Sequence, residues 1–437
     1  MAEQAAPNKG FLSWYLNSNL LLRIIVGLVA GAVVGIILAY SPQYASGFVA
    51  KTKFFGDIFI RLLQMIVVPV IFFSLITGAA SIAPAQLGRV GAKTLLFYLI
   101  LVVIAISIGL GLSNIFQPGL DLGIKGTEGL AGKVSTAPPL TTVLLNIVPT
   151  NPINALAQGQ VLPIIFFAIC FGIGLSVIRD SSNKMLSTAG DMLFTVCTAC
   201  AETMYVVVRG IMQYAPIGVF FLIAVVFAQQ GPKVIGPLVY VTAIVYLGYL
   251  LHVIIGFGGV LTLHRLSFIK FLRGANEAMI TAFVTRSSNA TLPISLRMCE
   301  ENLGVPRKVS AFSLPLGATI NMDGTAIYLA VCAMFIGFAT GQPLTLEQQF
   351  TVMVTATLGA VGAAGVPGAG AIMLLLVLES VGLKVEAGSA VAAAYAMMLG
   401  IDAIMDMGRT CLNVTGDIVA AVVVSKHEDA LDHSQWA

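Results

Sequence analysis

The chain has 437 residues, 58% of them hydrophobic and only 10% charged, with a formal net charge of +3. A soluble domain is typically about 45–50% apolar and about 25% charged, so the composition excludes a soluble globular protein. The small, scattered positive charge excludes a nucleic-acid binder. Apolar runs of about 20 residues recur along the whole length, long enough as helices to cross a hydrocarbon core of roughly 30 Å. A membrane barrel would instead alternate with period two.

The predicted elements follow in chain order. Residues 1–19 lack a cleavable signal pattern and form a cytoplasmic N-terminus. Eight spans are predicted at 20–40, 54–80, 94–116, 140–178, 192–228, 234–263, 309–338 and 388–424. Two apolar segments remain, 268–305 and 346–380. Each is interrupted near its middle, the first by "TRSSNATLP" (Thr285–Pro293) and the second by "GAAGVPGAG" (Gly362–Gly370). Neither half is long enough to cross alone. A break at membrane depth frees backbone N–H and C=O groups that only protein or a water-filled cavity can satisfy, so each segment reads as a re-entrant hairpin. Each is followed by a span with a polar motif, "NMDGT" (Asn321–Thr325) after the first and "DMGRT" (Asp406–Thr410) after the second. Paired interrupted segments and polar helices are the sequence form of an inverted-repeat secondary transporter.

Three weaker features have plain readings. "IVPTNPINALAQGQVLP" (147–163) breaks the fourth segment into kinked helices and a loop. Cys197 and Cys200 have the spacing of a redox or zinc pair, but no second pair follows, and the six cysteines read as packing residues. Residues 425–437 read as a solvated cytoplasmic tail. With the N-terminus inside, Arg89, Lys93, Arg179, Lys184, Arg265, Lys270, Arg273, Arg307, Lys308 and Lys426 fall on the cytoplasmic side. Lys51, Lys53, Lys125, Lys133, Lys233 and Lys384 fall outside, the bias that the positive-inside rule requires.

The candidate site lies in the last span. Asp402, Asp406, Arg409, Asn413 and Asp417 are spaced by four, three, four and four residues, so they line one helix face. At mid-membrane each charge costs about 2.5–3.5 kcal/mol, so four together need partners and a purpose. One reading is internal, with Asp402 or Asp406 holding Arg409 as a packing ion pair. The other is a ligand mould. The planar fork of Arg409 matches a carboxylate, Asp406 one turn earlier suits an ammonium, and Asn321, Asp323 and Asp417 offer hard oxygens to a small cation.

At these residues the chain resembles the sodium-coupled dicarboxylate and amino-acid symporter family, most closely its archaeal and bacterial branch. "GRVGAK", "PTNPINALAQGQVLP", "MQYAPIGVF", "TRSSNATLP", "LPLGATINMDGTA", "AAGVPGAGAIM" and "DMGRTCLNVTGD" occur in the family's order over nearly the whole chain. The resemblance implies an all-α membrane protein of eight transmembrane helices and two re-entrant hairpins, assembled as a homotrimer of elevator-type protomers. Spans 1–2 (20–80) and 4–5 (140–228) would form the scaffold. Span 3 (94–116), span 6 (234–263), hairpin 1 (268–305), span 7 (309–338), hairpin 2 (346–380) and span 8 (388–424) would form the mobile transport domain.

Carried onto matching positions, the resemblance implies that Arg409 binds the substrate's side-chain carboxylate and Asp406 its amino group. Thr410, Asn413, Thr325 and Ser288, beside Ser287, would complete the pocket. Gly365, Val366 and Gly370 would form the outer gate, and Arg286 would pair with Asp402. One sodium ion would take Asp417 with carbonyls of Gly317, Asn321 and Asn413. A second would lie near Thr319, Met322 and the carbonyls of Ala360 and Ala363. A third would use Tyr98, Asn321 and Asp323 with a Thr-Ser pair three and four residues past the tyrosine. Those two positions are Leu101 and Val102, so the resemblance leaves two or three coupling ions open. Leu329 stands where mammalian members carry a glutamate.

The function expected is uptake of L-aspartate or L-glutamate on a sodium gradient, through a multi-pass protein of the plasma membrane with both termini cytoplasmic. No enzymatic activity is expected. A C4-dicarboxylate symporter, driven by sodium or protons, would keep Arg409 but give Asp406 no ammonium. A neutral amino-acid carrier would leave Arg409 without a ligand partner. An intramembrane aspartyl protease needs two aspartates sharing a proton and explains neither Arg409 nor the broken segments.

Overall fold

A computed structural model describes residues 18–80, 89–124, 145, 147–360, 368–386 and 388–436. Among these the chain is nearly all helix, with no strand. The first part comprises α1 (Leu20–Ala39), α2 (Pro42–Ala80), α3 (Arg89–Phe116), α4 (Pro152–Ala157), α5 (Val161–Arg179) and α6 (Lys184–Gln230). A 3-10 turn (Gly231–Val234) leads into α7 (Ile235–Leu251), a π-helical turn (His252–Gly258) and α8 (Gly259–Leu263). The remainder is α9 (Phe268–Thr285), α10 (Ser288–Glu301), α11 (Arg307–Ile320), α12 (Asp323–Ala339), α13 (Leu346–Ala360), α14 (Ala369–Ser380) and α15 (Ala390–His427).

Six stretches of the described residues are long and apolar enough to cross a bilayer, which makes this a multi-pass membrane protein. One of them, Lys184–Leu263, is 80 residues long. At about 1.5 Å per residue it would far exceed the hydrocarbon core, and the interruption at Gly231, φ +71°, divides it. Shorter apolar helices at Pro163–Arg179 and Ala369–Ser380 add to the six.

Several helices outrun their apolar cores. The second begins at Pro42 rather than 54, a proline being well placed in a first turn, and runs through Pro69 to Ala80. The fifth begins at Lys184, where Asn183 caps it by accepting from Met185 N at 3.0 Å. In the proline-rich stretch, Asn151 caps the short α4, and Gly159 at φ +65° turns the chain into α5. The tail departs from a solvated end. Asp432 N–H donates to Gly304 O, between α10 and α11, at 2.9 Å and Leu431 is buried, since an apolar side chain gains by leaving water.

The helices fall into two packing groups. α1, α2, α5 and α6 pack on one another. The α1–α6 contact is drawn tight by Gly27, Gly31 and Gly35, where an added Cβ would come within 2.4–2.6 Å of the backbone of Pro216, Phe220 and Ala224. Within lipid, small residues at four-residue spacing are what allow two helices such close approach. The second group gathers α3, α7 and α9–α14 around α15, with α12 buried on all sides. Outward faces are apolar: Leu22, Val26 and Ile37 of α1 and Met185, Met192 and Val196 of α6 are exposed, as a lipid-facing surface requires. All six cysteines are free.

Candidate substrate and ion site

Two helix interruptions and the start of α14 meet the polar face of α15. The first separates α9 from α10. Arg286 ends α9 in the left-handed region at φ +54°, and Ser287 starts α10 by accepting from Ala290 N at 3.2 Å. Thr291 Oγ1 donates to the Ser287 carbonyl at 2.9 Å. The tip thus meets its freed backbone demand from its own hydroxyls, as backbone buried at membrane depth must. Ser288, the first helical residue beyond it, is buried. The second interruption lies at Asn321–Met322 between α11 and α12. Here Asn413 of α15 caps the new helix, its Oδ1 accepting from Gly324 N at 2.7 Å. A further interruption separates α13 from α14. Residues 361–367, and with them Ala363, Gly365 and Val366, are outside the described residues, as is the side chain of Ala360.

Arg409 is 2% exposed and makes three hydrogen bonds to carboxylates. Nε and Nη2 donate to Asp406 Oδ1 at 3.0 and 2.6 Å, and Nη1 donates to Asp402 Oδ1 at 3.0 Å. The guanidinium lies over the Tyr328 ring, 4.4 Å from its centroid. Thr410 Oγ1 donates to Asp406 Oδ1 at 3.5 Å. The internal ion pair considered from sequence is therefore formed, and both aspartates share in it. Arg286 differs from the resemblance's pattern: its Nη1 lies 4.0 Å from Asp406 Oδ2, and no Arg286–Asp402 pair is made. Arg409 bonds Asp406 only through Oδ1, which leaves Oδ2 to face Arg286. Asp406 Oδ2 accepts no hydrogen bond among the described residues.

Gly370 of α14 stands against this cluster. A Cβ there would lie 2.1 Å from Arg409 Nη1. Arg286 and Asp402 also line a cavity of about 20 Å³ with Gly368, Met212 and Phe59. That is room for about one water.

A second cluster lies deeper. Asn321 Nδ2 donates to Asp417 Oδ1 at 3.1 Å and to the Asn413 carbonyl at 3.4 Å. A Cβ on Gly317 would fall 2.4 Å from Asp417 Oδ1 and 2.5 Å from Tyr98 Oη. Gly317, Asn321, Asn413, Asp417 and Tyr98 are thus brought together. The Tyr98 hydroxyl donates to Ser313 O at 2.8 Å. Asn413 Nδ2 donates to Met322 Sδ at 3.1 Å and to Thr325 Oγ1 at 3.4 Å, linking the deeper cluster to the pocket above. Thr319 stands apart, its hydroxyl bonding within its own helix to Leu316 O.

The sequence reading missed four participants: Tyr328 under the guanidinium, and His252, Gly324 and Gly416. A Cβ on Gly324 would lie 2.4 Å from Arg409 O, and one on Gly416 2.6 Å from Asp323 Oδ2. His252 is fully buried, its Nε2 3.4 Å from Asp323 Oδ2. Its signal was present in the sequence, since an ionisable residue inside an apolar span is a functional-site hypothesis by default.

These features define a multi-pass helical membrane protein with interrupted helices converging on a buried charged site. The family follows from comparison: residues 20–427 match the sodium:dicarboxylate symporter family, and the chain belongs to it. That is a family of transporters. The chain is 34% identical over 414 residues to a proton/sodium-glutamate symport protein of Geobacillus stearothermophilus, covering 93% of this chain and 94% of the relative. It is 34% identical over 428 residues to a proton/glutamate-aspartate symporter of Escherichia coli (strain K12), covering 95% and 94%. It is 32% identical over 442 residues to a C4-dicarboxylate transport protein of Rhizobium johnstonii, covering 100% and 94%.

Proposed function

We propose that this protein is a secondary active symporter that imports an acidic amino acid, L-aspartate or L-glutamate, on a sodium gradient. The observation that carries the reading is the Arg409–Asp406 pair, one helical turn apart, at the point where the interrupted helices meet. Arg286 and Arg409 face Asp402 and Asp406, two positive groups against two negative, so the cluster is formally balanced. A substrate with two carboxylates and one ammonium brings a net negative charge into a site with almost no solvent. An uncompensated buried charge is prohibitive, so a cation must enter with it. Coupling is then a consequence of charge balance.

In the substrate-free protein Arg409 rests on Asp402 and Asp406. Binding exchanges partners: the substrate's side-chain carboxylate takes the guanidinium fork and its ammonium takes Asp406, with Thr410, Asn413, Thr325, Ser287 and Ser288 around it. The second hairpin, with Gly370 and residues 365–366, opens to admit the substrate and closes over it. Asp417 with the carbonyls of Gly317, Asn321 and Asn413 suits sodium, a hard cation that takes oxygen ligands. Thr319, Met322 and the carbonyls of Ala360 and Ala363 form a second position. The close-packed α1–α2–α5–α6 group serves as a scaffold and the group around α12 and α15 as the moving body of an elevator, three protomers forming the assembly. Cytoplasmic termini rest on the Lys and Arg bias of the loops.

The test is uptake of radiolabelled L-aspartate and L-glutamate into proteoliposomes of the purified chain. Uptake should follow an inward sodium gradient and cease when that gradient is collapsed at constant pH; sodium-independent uptake rejects the reading. A C4-dicarboxylate substrate is the second possibility, supported by the Rhizobium relative. Succinate or fumarate competing more strongly than aspartate would establish it.

A further inference from the structure

Three of the chain's four histidines, His264, His427 and His433, gather where α15 ends, beyond its charged face. The tail that follows folds back on the helices. Glu428 pairs with Lys93 of α3 at 2.5 Å, Leu431 is buried, and Asp432 N–H donates to Gly304 O at 2.9 Å. Gly304 is a fitted seat, since its φ is +62° and a Cβ there would collide with Asp432 O. Ser434 closes the turn, its N–H and hydroxyl donating to Asp432 Oδ1 at 2.9 and 2.7 Å. Residues 428–434 thus strap the last helix to the turn between α10 and α11.

Two imidazole contacts hold the strap, and both require a bare ring nitrogen. His264, at the end of α8, has its Nδ1 2.7 Å from Val260 O. A carbonyl only accepts, so Nδ1 carries the proton, and in the neutral ring Nε2 is then bare. His427 Nε2 stands 2.7 Å from it and donates. At the second contact Lys426 Nζ lies 2.8 Å from His433 Nε2. An ammonium has no lone pair, so His433 Nε2 is bare as well. Protonating His264 sets two N–H groups against each other; protonating His433 sets a cation against Lys426. Among the charged neighbours, Lys93 lies 3.4 Å from the His427 carbonyl and adds to the repulsion, Glu428 is taken by Lys93, and Asp432 is taken by Ser434. Phe97 of α3 meets the His264 ring edge-on and brings no charge. Tetrahedral zinc would hold two ligand nitrogens about 3.3 Å apart, so the closer approach of His264 and His427 fits a shared proton rather than a metal.

We propose that the C-terminal tail is a proton-released strap, which holds α15 to α8 and to the α10–α11 turn while His264 and His433 are neutral and lets go when they take protons. The released tail binds more protons than the docked one. Docking is therefore at full strength above the ordinary imidazole value of about 6.5 and is lost as the pH falls below it. One pH unit below that value it weakens about tenfold for each histidine. Carboxylates stay ionised over this range, so the contacts of Glu428 and Asp432 do not change. The strap gives the helix that carries Arg409 a contact sensitive to the pH of the compartment the tail faces, and it stands independently of the substrate reading above.

The experiment is hydrogen–deuterium exchange of residues 430–436 on the full chain in nanodiscs, at about pH 7.5 and about pH 5.5, with each rate divided by the intrinsic rate at that pH. The Asp432 and Ser434 amides are bonded in the docked tail. Their protection should fall about 100-fold in the parent and about tenfold in His264→Gln or His433→Gln, the linkage expected of two sites and of one. It should not fall in the double variant, because glutamine accepts through Oε1 and does not titrate. Equal protection at the two pH values in the parent overturns the proposal, and so does a tail unprotected at the higher pH. A folded double variant that loses protection as the parent does would overturn it too, since other groups would then release the tail.

Discussion

Placing a methyl group on Gly370 tests whether α14 bears directly on the Arg409 guanidinium. In Gly370→Ala the new Cβ would sit 2.1 Å from Arg409 Nη1 and 2.4 Å from its Cζ. Carbon contacts settle near about 3.5 Å, so the guanidinium must withdraw by more than 1 Å. Nη1 now donates to Asp402 at 3.0 Å, and a displacement of that size carries it beyond hydrogen-bond distance. The same withdrawal takes the fork out of line with the substrate's carboxylate, and one hydrogen bond lost to a charged group costs about 1.5–3 kcal/mol, about 10- to 150-fold in affinity. Aspartate binding at saturating sodium, measured by isothermal titration on purified protein, should weaken by that factor. Gly111→Ala is the matched control, because a Cβ at Gly111 meets nothing within 4 Å; it should bind as the parent does. Parental affinity in a folded Gly370→Ala variant would refute the argument that α14 seats the guanidinium.

Three further outcomes are expected. Arg409→Ala should lose about 2–5 kcal/mol of binding and abolish uptake of acidic substrates, and Arg409→Lys should not restore it, because a point charge lacks the fork; proteoliposome uptake decides both. Gly416→Ala forces apart Asn321 and Asp323, so sodium titration of aspartate uptake should show half-saturation raised about tenfold or more, and an unchanged value would separate this cluster from cation binding. Gly31→Val pushes side-chain atoms into the Phe220 backbone, whose carbonyl oxygen lies 2.5 Å from the Cβ position. Overpacking of this kind costs about 1–3 kcal/mol and should lower the unfolding temperature by several degrees while leaving the sodium dependence of transport unaltered.

The breaks were legible for a reason that belongs to lipid. A polar residue inside an apolar span has no solvent to justify it, so "TRSSN" and "NMDGT" mark places where the helix stops, and α9 and α11 end at Thr285 and Ile320. The face of α15 was legible because five polar residues at helical spacing must share a side. Their partners were not. The same spacing that lets Asp406 reach Arg409 lets Asp402 reach it too, and helical period cannot say that Arg409 takes both and sends Arg286 to Asp406. His252 was overlooked because nothing in its own segment points to an aspartate on another helix. The docking of the tail on Gly304 was equally hidden, since a short polar segment carries no periodic signal of its contacts.

The sequence by itself determined that this is a multi-pass helical membrane protein with charge buried along its last span, because the bilayer punishes every other arrangement of so apolar a chain. Only the tertiary structure decided which buried groups answer one another: Arg409 with two aspartates, Asn413 with the start of α12, His252 with Asp323. The last two pairings join segments far apart in the chain, and their choice follows from interhelical distances that Gly324 and Gly416 set by leaving out a side chain, a quantity no local pattern contains.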